Sequence, residues 1–193
     1  MASASSEHDA GGGEVRVALV LDHPPNALTE EKLVRLVAYL RGLGTRHLSL
    51  VGAGVVQPEN WLLGFEPSRR IAIAPNSAAR HFTSSGFGLV LLPAGSGRAV
   101  VATAVRVQEP AAVGHGELSI KELDAQIEHI AGPSPDLIIV AGETPNLRGS
   151  FTWQAAYGEL VFVRRSWTEL TLEDLDRALK EFAKRGRRFG GVA

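Results

Sequence analysis

Two short, almost wholly apolar stretches place the strongest constraint on the fold of this chain: VRVALVLD at residues 15–22 and PDLIIVAG at 135–142. Each is rich in branched side chains and shows no alternation of polar and apolar residues, which is typical of parallel strands buried on both faces. Amphipathic patterns of helical spacing follow several such stretches. The sequence therefore predicts an α/β fold: a single-domain, open, mostly parallel β-sheet of about six strands flanked by helices.

The remaining elements follow from local signals. Further strands are predicted at 46–52, 69–75, 86–95 and 159–165, and helices at 30–44, 97–109, 119–130 and 171–191. Thr29 is a candidate N-cap for the first helix, and Ser119 with Glu122 has the spacing of a capping box. The last helix is expected to begin at Thr171 and to carry these side chains inward: Leu172, Leu175, Leu179 and Phe182.

Length and composition exclude several classes of function. The 193 residues suit one domain, 15–193, preceded by a small, polar and glycine-rich stretch, 1–14, that is predicted to be a flexible tail. The 20 basic and 21 acidic side chains nearly cancel, so no global charge attracts nucleic acid or an anionic membrane. The absence of cysteine excludes disulfides and thiol nucleophiles and suits a reducing cytosol. The longest apolar runs are too short to cross a bilayer.

The turn after the first strand, DHPPNAL, stands where many α/β proteins bind phosphate. Such loops need converging backbone N–H groups, whereas Pro24 and Pro25 each lack one, which favours a structural role. Asp22 could bind Mg²⁺ or cap the backbone that follows it. The glycine-rich PAGSGRAV at 93–100 is better explained as a tight turn than as an anion site. No two of the six histidines have the spacing of a metal-ligand pair.

The loop after PDLIIVAG has two interpretations. Glu143 could hold a metal while Arg148 and Ser150 bind a diphosphate, because an arginine offers a planar bidentate grip. Alternatively, Ser150 only caps a helix that begins near Phe151.

Two further features lie towards the C-terminus. Trp153, Tyr157 and Leu160 have helical spacing and large apolar surfaces, which is typical of a core or a subunit interface. The terminal AKRGRRFGGVA is basic, and its charges alone favour a solvated helix end whose cations suit the helix dipole. The alternative is an arm that delivers an arginine and backbone amides to an anion on another subunit.

Several fragments in a fixed order carry a resemblance to a known family: VALVLD, ENW at 59–61, ELDAQI at 122–127, PDLIIVAGE, SFTWQAAYGELVF, LEDLDRAL and RRFGG. Together they resemble the cis-prenyltransferases, the undecaprenyl and dehydrodolichyl diphosphate synthases. The resemblance covers most of residues 15–191 and implies the open α/β fold, diphosphate substrates and Mg²⁺.

The sequence departs from the catalytic members of that family at their substrate groups. Catalytic members follow the first strand with Asp-Gly-Asn-Gly-Arg-Trp-Ala, of which only Asp22 remains here. Val140 stands where they have an arginine that grips isopentenyl diphosphate. Arg148 and Ser150 resemble a later arginine and serine at altered spacing, and Glu159 matches a glutamate linked to Mg²⁺. Asp22, Glu143, Arg148, Ser150 and Glu159 are therefore interpreted as a vestigial site.

This pattern resembles the non-catalytic subunits of heteromeric cis-prenyltransferases, the group that contains the Nogo-B receptor. The resemblance implies a catalytic partner in a heterodimer or heterotetramer, Mg²⁺ held by that partner, and a C-terminal Arg-x-Gly motif that contacts the partner's substrate diphosphate. Arg188, Phe189 and Gly190 match this motif. The predicted interface residues are Phe151, Trp153, Tyr157, Leu160, Phe162 and Trp167.

Two alternatives stay open at this point. The chain could be a divergent homodimeric prenyltransferase that uses Asp22 and Glu159 itself, or a scaffold protein unrelated to polyprenol synthesis. The expected location is the cytoplasm, with any membrane contact made through the partner.

Overall fold

The computed structural model describes residues 15–25, 30–52, 64–112, 119–147 and 149–185. Its strands form one seven-stranded sheet in the order β3-β4-β5-β2-β1-β6-β7. The strands are β1 (Arg16–Val20), β2 (His47–Val51), β3 (Glu66–Ala74), β4 (Ser77–Ser84), β5 (Phe87–Leu92), β6 (Leu137–Ala141) and β7 (Glu159–Val163). The helices are α1 (Glu30–Gly42), α2 (Gly97–Ala112), α3 (Ile120–Ala131) and α4 (Leu172–Arg185). The predicted α/β architecture is confirmed, with one strand more than expected.

The centre of the sheet is parallel and buried on both faces. β1 pairs in parallel with β2 on one side and with β6 on the other, and β6 pairs in parallel with β7. On one face, α1 and α4 contribute Leu33, Leu40 and Leu175 to a core that includes Leu19. On the other face, α2 and α3 bury Val100 and Ile127 against β1, β5 and β6. Helices on both faces explain why the central strands are continuously apolar.

The strand that sequence patterns missed is β4, which forms antiparallel hairpins with β3 and β5. Asn76 lies at φ 58° in the turn between β3 and β4. Ser85 and Gly86 both have positive φ, 44° and 79°, as a type I′ turn requires. The strand SAARHFTS carries arginine and histidine on neighbouring positions, which hides its alternation. Its two turn signals, Pro-Asn and Ser-Gly, were the available clue.

The helix ends follow the predicted capping chemistry. The capping box of α3 is formed by Ser119 and Glu122. At the start of α4, the Asp174 carboxylate accepts hydrogen bonds from the N–H and the hydroxyl of Thr171. Leu172 was expected to face inward and is instead 41% exposed, since it precedes the first turn that packs on the sheet. Thr29 and the predicted tail, 1–14, lie outside the described residues. None of the described helices combines the length and the apolar character needed to cross a membrane.

Candidate functional site

The candidate site lies where the strand order reverses. From β1, the chain proceeds through α1 to β2 on one side, while β6 lies on the other side. In open α/β sheets, ligands bind outside the carboxyl ends of the strands at such a switch point. Asp22 follows β1 there and Gly142 follows β6. A Cβ at Gly142 would lie 3.1 Å from the Cβ of Asp22, so the two strand ends are in contact.

Asp22 is engaged by its own protomer. Its Oδ1 accepts a hydrogen bond from the backbone N–H of Trp167 at 3.1 Å and lies 3.1 Å from Nδ1 of His23. The side chain of Asp22 is 15% exposed. The carboxylate thus fastens the segment after β7 to the end of β1. The role is structural, but the bound N–H belongs to a distant residue and not to the backbone that follows Asp22, as the sequence had suggested.

Two basic residues near Asp22 were not selected from the sequence. The ring of His23 lies 6.4 Å from that of Trp167, and Nζ of Lys32 lies 5.8 Å from the Trp167 ring centroid. Lys32 also donates a hydrogen bond to the carbonyl of Thr168, and burial lowers its pKa from the ordinary value of a lysine. No local sequence signal identified Lys32, because its neighbours come from the far end of the chain.

The loop after β6 is clamped to the loop after β5. Oγ of Ser150 accepts the N–H of Gly95 at 3.2 Å, and the carbonyl of Gly149 accepts the N–H of Gly97 at 3.1 Å. Ser150 therefore does not cap a helix beginning near Phe151, and the chain after it forms a 3₁₀ turn at Gln154–Ala156 instead. Because the amides of Gly95 and Gly97 already have acceptors, the PAGSGRAV turn matches the tight-turn interpretation.

Of the other two predicted residues of this loop, the structure describes only one. Glu143 is exposed, and no hydrogen bond of its side chain is seen within the described part of the chain. Arg148 lies outside the described residues.

Glu159 lies where the parallel strands begin, the amino edge of the sheet, whereas Asp22 lies where they end, the carboxyl edge. It is the first residue of β7 and is level with Leu137 of β6, which is level with Val17 of β1. Five residues separate Val17 from Asp22, a distance of about 16 Å along the strand direction. Glu159 pairs instead with Arg185 at the end of α4, its Oε2 lying 3.2 Å from Nη1. The described members of the vestigial set predicted from the sequence are thus split between two edges of the sheet.

The predicted interface residues divide by burial. Phe151 and Trp167 are 3% and 0% exposed, so they belong to the interior of the protomer and their side chains cannot form direct contacts with a partner. Trp153 is half-buried and its Nε1 donates to Asp124 at 2.5 Å. Tyr157, two residues before the edge strand β7, is 68% exposed, and Phe162, within β7, is 52% exposed. Leu160 is half-buried.

The residues present do not fit a bound Mg²⁺ well. Mg²⁺ needs near-octahedral oxygen ligands, usually with one or two carboxylates. Asp22 already accepts the N–H of Trp167 and lies beside a histidine, and Glu159 lies about 16 Å away along the strands. Within the five described ranges, no three acidic or histidine side chains are grouped so that they could hold a metal ion.

Comparisons with known proteins agree with this fold. A family model described as "Putative undecaprenyl diphosphate synthase" matches residues 70–190. A solved probable undecaprenyl diphosphate synthase from Campylobacter jejuni superimposes with a TM-score of 0.62 at 18% identity, covering 93% of this chain and 100% of that one. Lavandulyl diphosphate synthase from Lavandula x intermedia, solved in complex with dimethylallyl diphosphate, superimposes with a TM-score of 0.56 at 18% identity, covering 91% of this chain and 98% of that one.

Curated relatives match over shorter stretches. Isoprenyl transferase 2 of Bradyrhizobium diazoefficiens is 41% identical over 75 residues, which are 39% of this chain and 30% of that protein. The isoprenyl transferase of Thermotoga maritima is 43% identical over 60 residues, 31% of this chain and 26% of that protein. The matched stretches thus span about a third or less of these relatives.

Proposed function

The chain belongs to the undecaprenyl diphosphate synthase, or cis-prenyltransferase, family, and on that premise we propose that it is the non-catalytic subunit of a heteromeric enzyme. It stabilises a catalytic partner and supplies Arg188, Phe189 and Gly190 to the diphosphate site of that partner. The reaction served is the successive condensation of isopentenyl diphosphate onto an allylic diphosphate. Arg188, Phe189 and Gly190 lie outside the described residues, so this role extends the sequence resemblance.

The observation that carries the proposal is the engagement of Asp22. The carboxylate matching the substrate-site aspartate of catalytic members binds the Trp167 N–H inside its own protomer. Val140, at the position of a substrate-binding arginine in those members, is fully buried in β6. In the PAGSGRAV turn, the amides of Gly95 and Gly97 donate to residues 150 and 149. These groups are used for internal contacts of this chain. This favours a reaction that takes place in the active site of a partner.

The course of α4 supports a role for the C-terminal segment, residues 186–193, in trans. α4 begins near the carboxyl edge, where Asp174 lies 3.6 Å from Arg165, and ends at Arg185 beside Glu159 on the amino edge. The three residues from Arg185 to Arg188 span at most about 11 Å. The described chain therefore ends at the edge opposite Asp22, and we expect a diphosphate contacted by Arg188 to belong to a partner.

Two exposed aromatic side chains are the proposed contact surface: Tyr157, just before β7, and Phe162, within β7. Large aromatic residues are the usual anchors of protein interfaces, and Tyr157 and Phe162 are both more than half exposed. A partner of the same fold that packs here about a two-fold axis perpendicular to the strands would run its own strands antiparallel to β7. Its carboxyl edge would then lie at the amino edge of this chain, where the C-terminal segment begins.

The partner is proposed to hold Mg²⁺, since the described residues of this chain offer no fitting donor set. The assembly is proposed to be cytoplasmic, with any membrane contact made through the partner or the lipid product.

A second candidate is a divergent prenyltransferase that is active without a partner of another kind. It is favoured by the curated relatives, which are named isoprenyl transferases. Within one protomer, however, Asp22 and Glu159 lie about 16 Å apart along the strands, so they cannot share one metal ion. This candidate therefore requires a site completed by a second copy.

The deciding experiment is incorporation of labelled isopentenyl diphosphate into polyprenols, with farnesyl diphosphate and Mg²⁺. It is run with this chain alone and with this chain co-expressed with a catalytic homologue from the same genome. Product that forms with the co-expressed pair and not with the isolated chain supports the accessory role. Product from the isolated chain supports the second candidate, and failure of the homologue to co-purify indicates a scaffold unrelated to polyprenol synthesis.

The variant Arg188→Ala tests the C-terminal motif in the same assay. Charge-assisted contacts to a reacting diphosphate contribute several kcal/mol, so we expect turnover to fall by about two orders of magnitude or more while the heterodimer stays intact. Unchanged turnover would mean that the segment is only a helix end.

A further inference from the structure

Arg185, the last residue of α4, connects that helix to the edge strand β7. Its Nη1 lies 3.2 Å from Oε2 of Glu159 and donates to the carbonyl of Leu160 at 3.1 Å, and its Nη2 contacts the carboxylate of Glu181 one turn earlier in α4. One guanidinium thus joins the end of the last helix to the first two residues of the last strand. None of the sequence patterns singled out this residue.

We infer that Arg185 is a positioning residue that fixes where the C-terminal segment leaves the domain. This inference rests on the proposed function, because it assigns a consequence to that segment. By holding the last turn of α4 against the first two residues of β7, Arg185 fixes the point at the amino edge of the sheet where the described helix ends. The same contact occupies Glu159, which removes that carboxylate from any site on the partner side.

The geometry depends on a guanidinium. In the planar guanidinium, one nitrogen can donate to a carboxylate and a carbonyl while another donates to a second carboxylate. The ammonium of a lysine is instead a compact point charge on a flexible stem. Other basic residues of α4 form pairs within the helix: Arg177 with Asp174 and Lys180 with Asp176. Lys180 therefore provides a matched control, since its loss removes an ion pair of α4 without touching β7.

The expected kinetic effect follows from the fraction of molecules in which the helix end is held. If Arg185 no longer holds the helix end, the C-terminal segment occupies its productive position for a smaller fraction of the time, and apparent substrate affinity falls by that fraction. Exposed ion pairs of this kind contribute up to about a fivefold change in an equilibrium. The predicted signature of Arg185→Gln is therefore a KM for isopentenyl diphosphate raised by up to about fivefold at nearly unchanged kcat.

The first test uses the co-expressed complex. Wild type, Arg185→Gln, Arg185→Lys, Glu159→Gln and Lys180→Gln are compared for KM and kcat. We expect Arg185→Gln to raise KM, and Glu159→Gln to raise it less, because the contacts of Arg185 with Leu160 and Glu181 remain. The double variant should add little to Arg185→Gln, Arg185→Lys should recover only part of the effect, and Lys180→Gln should behave as wild type. A KM that does not change in Arg185→Gln, in a complex that Arg188→Ala inactivates, overturns the inference and leaves the proposed function standing.

The second test needs no activity. Trypsin must take the Arg185 side chain into its own pocket to cleave after it, so the contact with Glu159 should slow that cleavage. We expect Glu159→Gln in the isolated chain to speed formation of the fragment ending at Arg185 by up to about fivefold. The control Glu173→Gln alters an exposed carboxylate of the same helix and should cleave as wild type. If the co-expressed pair makes no polyprenol, the proposed function fails. An unchanged cleavage rate in Glu159→Gln would overturn the positioning role, whatever the activity.

Discussion

The carboxylate of Asp22 accepts the backbone N–H of Trp167 at 3.1 Å, although 145 positions separate the two residues in the sequence. Trp167 is fully buried against α1, α4 and the sheet. The contact therefore ties the end of the first strand to the segment that leads into the last helix, and gives a structural role to the residue that most resembles a catalytic one.

Replacing Asp22 separates the structural role from a catalytic one. Asp22→Ala leaves the Trp167 N–H without its acceptor, so we expect the free energy of unfolding to fall by about 1–3 kcal/mol. Asp22→Asn keeps a carbonyl oxygen and should lose less. Urea unfolding measures both. In the co-expressed enzyme, we expect both variants to retain turnover, and a loss of several orders of magnitude in the folded complex would return Asp22 to the active site.

The exposed aromatics beside β7 predict the interface. Phe162→Glu places a charge in the proposed contact surface, and we expect the affinity for the catalytic partner to weaken by about 2 kcal/mol or more, roughly thirtyfold. The matched control is Val107→Glu, because Val107 is similarly exposed, at 56%, on α2. Titration by analytical ultracentrifugation compares the two. Equal affinity of both variants would exclude the β7 edge as the contact surface.

Gly97 tests the clamp between the two loops of the candidate site. A Cβ at this position would lie 2.5 Å from the carbonyl oxygen of Gly149 and 2.8 Å from Oγ1 of Thr152, so Gly97→Ala must displace backbone. We expect a loss of about 1–3 kcal/mol in unfolding free energy. Gly42→Ala is the control, since a Cβ at that position would meet nothing within 4 Å and alanine favours helix. That variant should be as stable as wild type or slightly more so.

Acid should destabilise the domain through His47. Burial, with smaller contributions from the charges of His81 and Arg16, lowers the pKa of His47 to about 4 from 6.5. Between these values the unfolded chain binds a proton that the folded chain excludes, so stability falls as pH drops from 6.5 towards 4. The loss reaches up to about 3 kcal/mol. His81 has a pKa lowered chiefly by burial and acts in the same direction.

Urea unfolding between pH 7 and pH 4 measures this effect. His47→Gln should flatten the decline of stability with falling pH, because the titrating group is gone. His23→Gln removes a half-exposed ring and should leave that decline unchanged. A decline of the same size in His47→Gln would assign the effect to other groups.

Local sequence signals were sufficient where burial or helix capping leaves a recognisable pattern in a short stretch of sequence. The strands β1 and β6 could be predicted because continuous burial demands an apolar run, and the start of α3 because Ser119 and Glu122 satisfy each other's backbone. β4 could not, since its stability comes from pairing with β3 and β5 and from burial of His81 against the carbonyl of Ile130.

The amino-acid sequence by itself determined the α/β class, the order of most elements and the loss of the glycine-rich loop after the first strand, because each depends on periodicity or on residue types at adjacent positions. Only the tertiary structure decided which candidate residues meet. It joined Asp22 to Trp167, clamped Ser150 to Gly95, and separated Glu159 from Asp22 by placing it with Arg185 at the other edge of the sheet. The physical reason is that strand register and helix direction, which set these distances, depend on pairings between residues far apart in the chain.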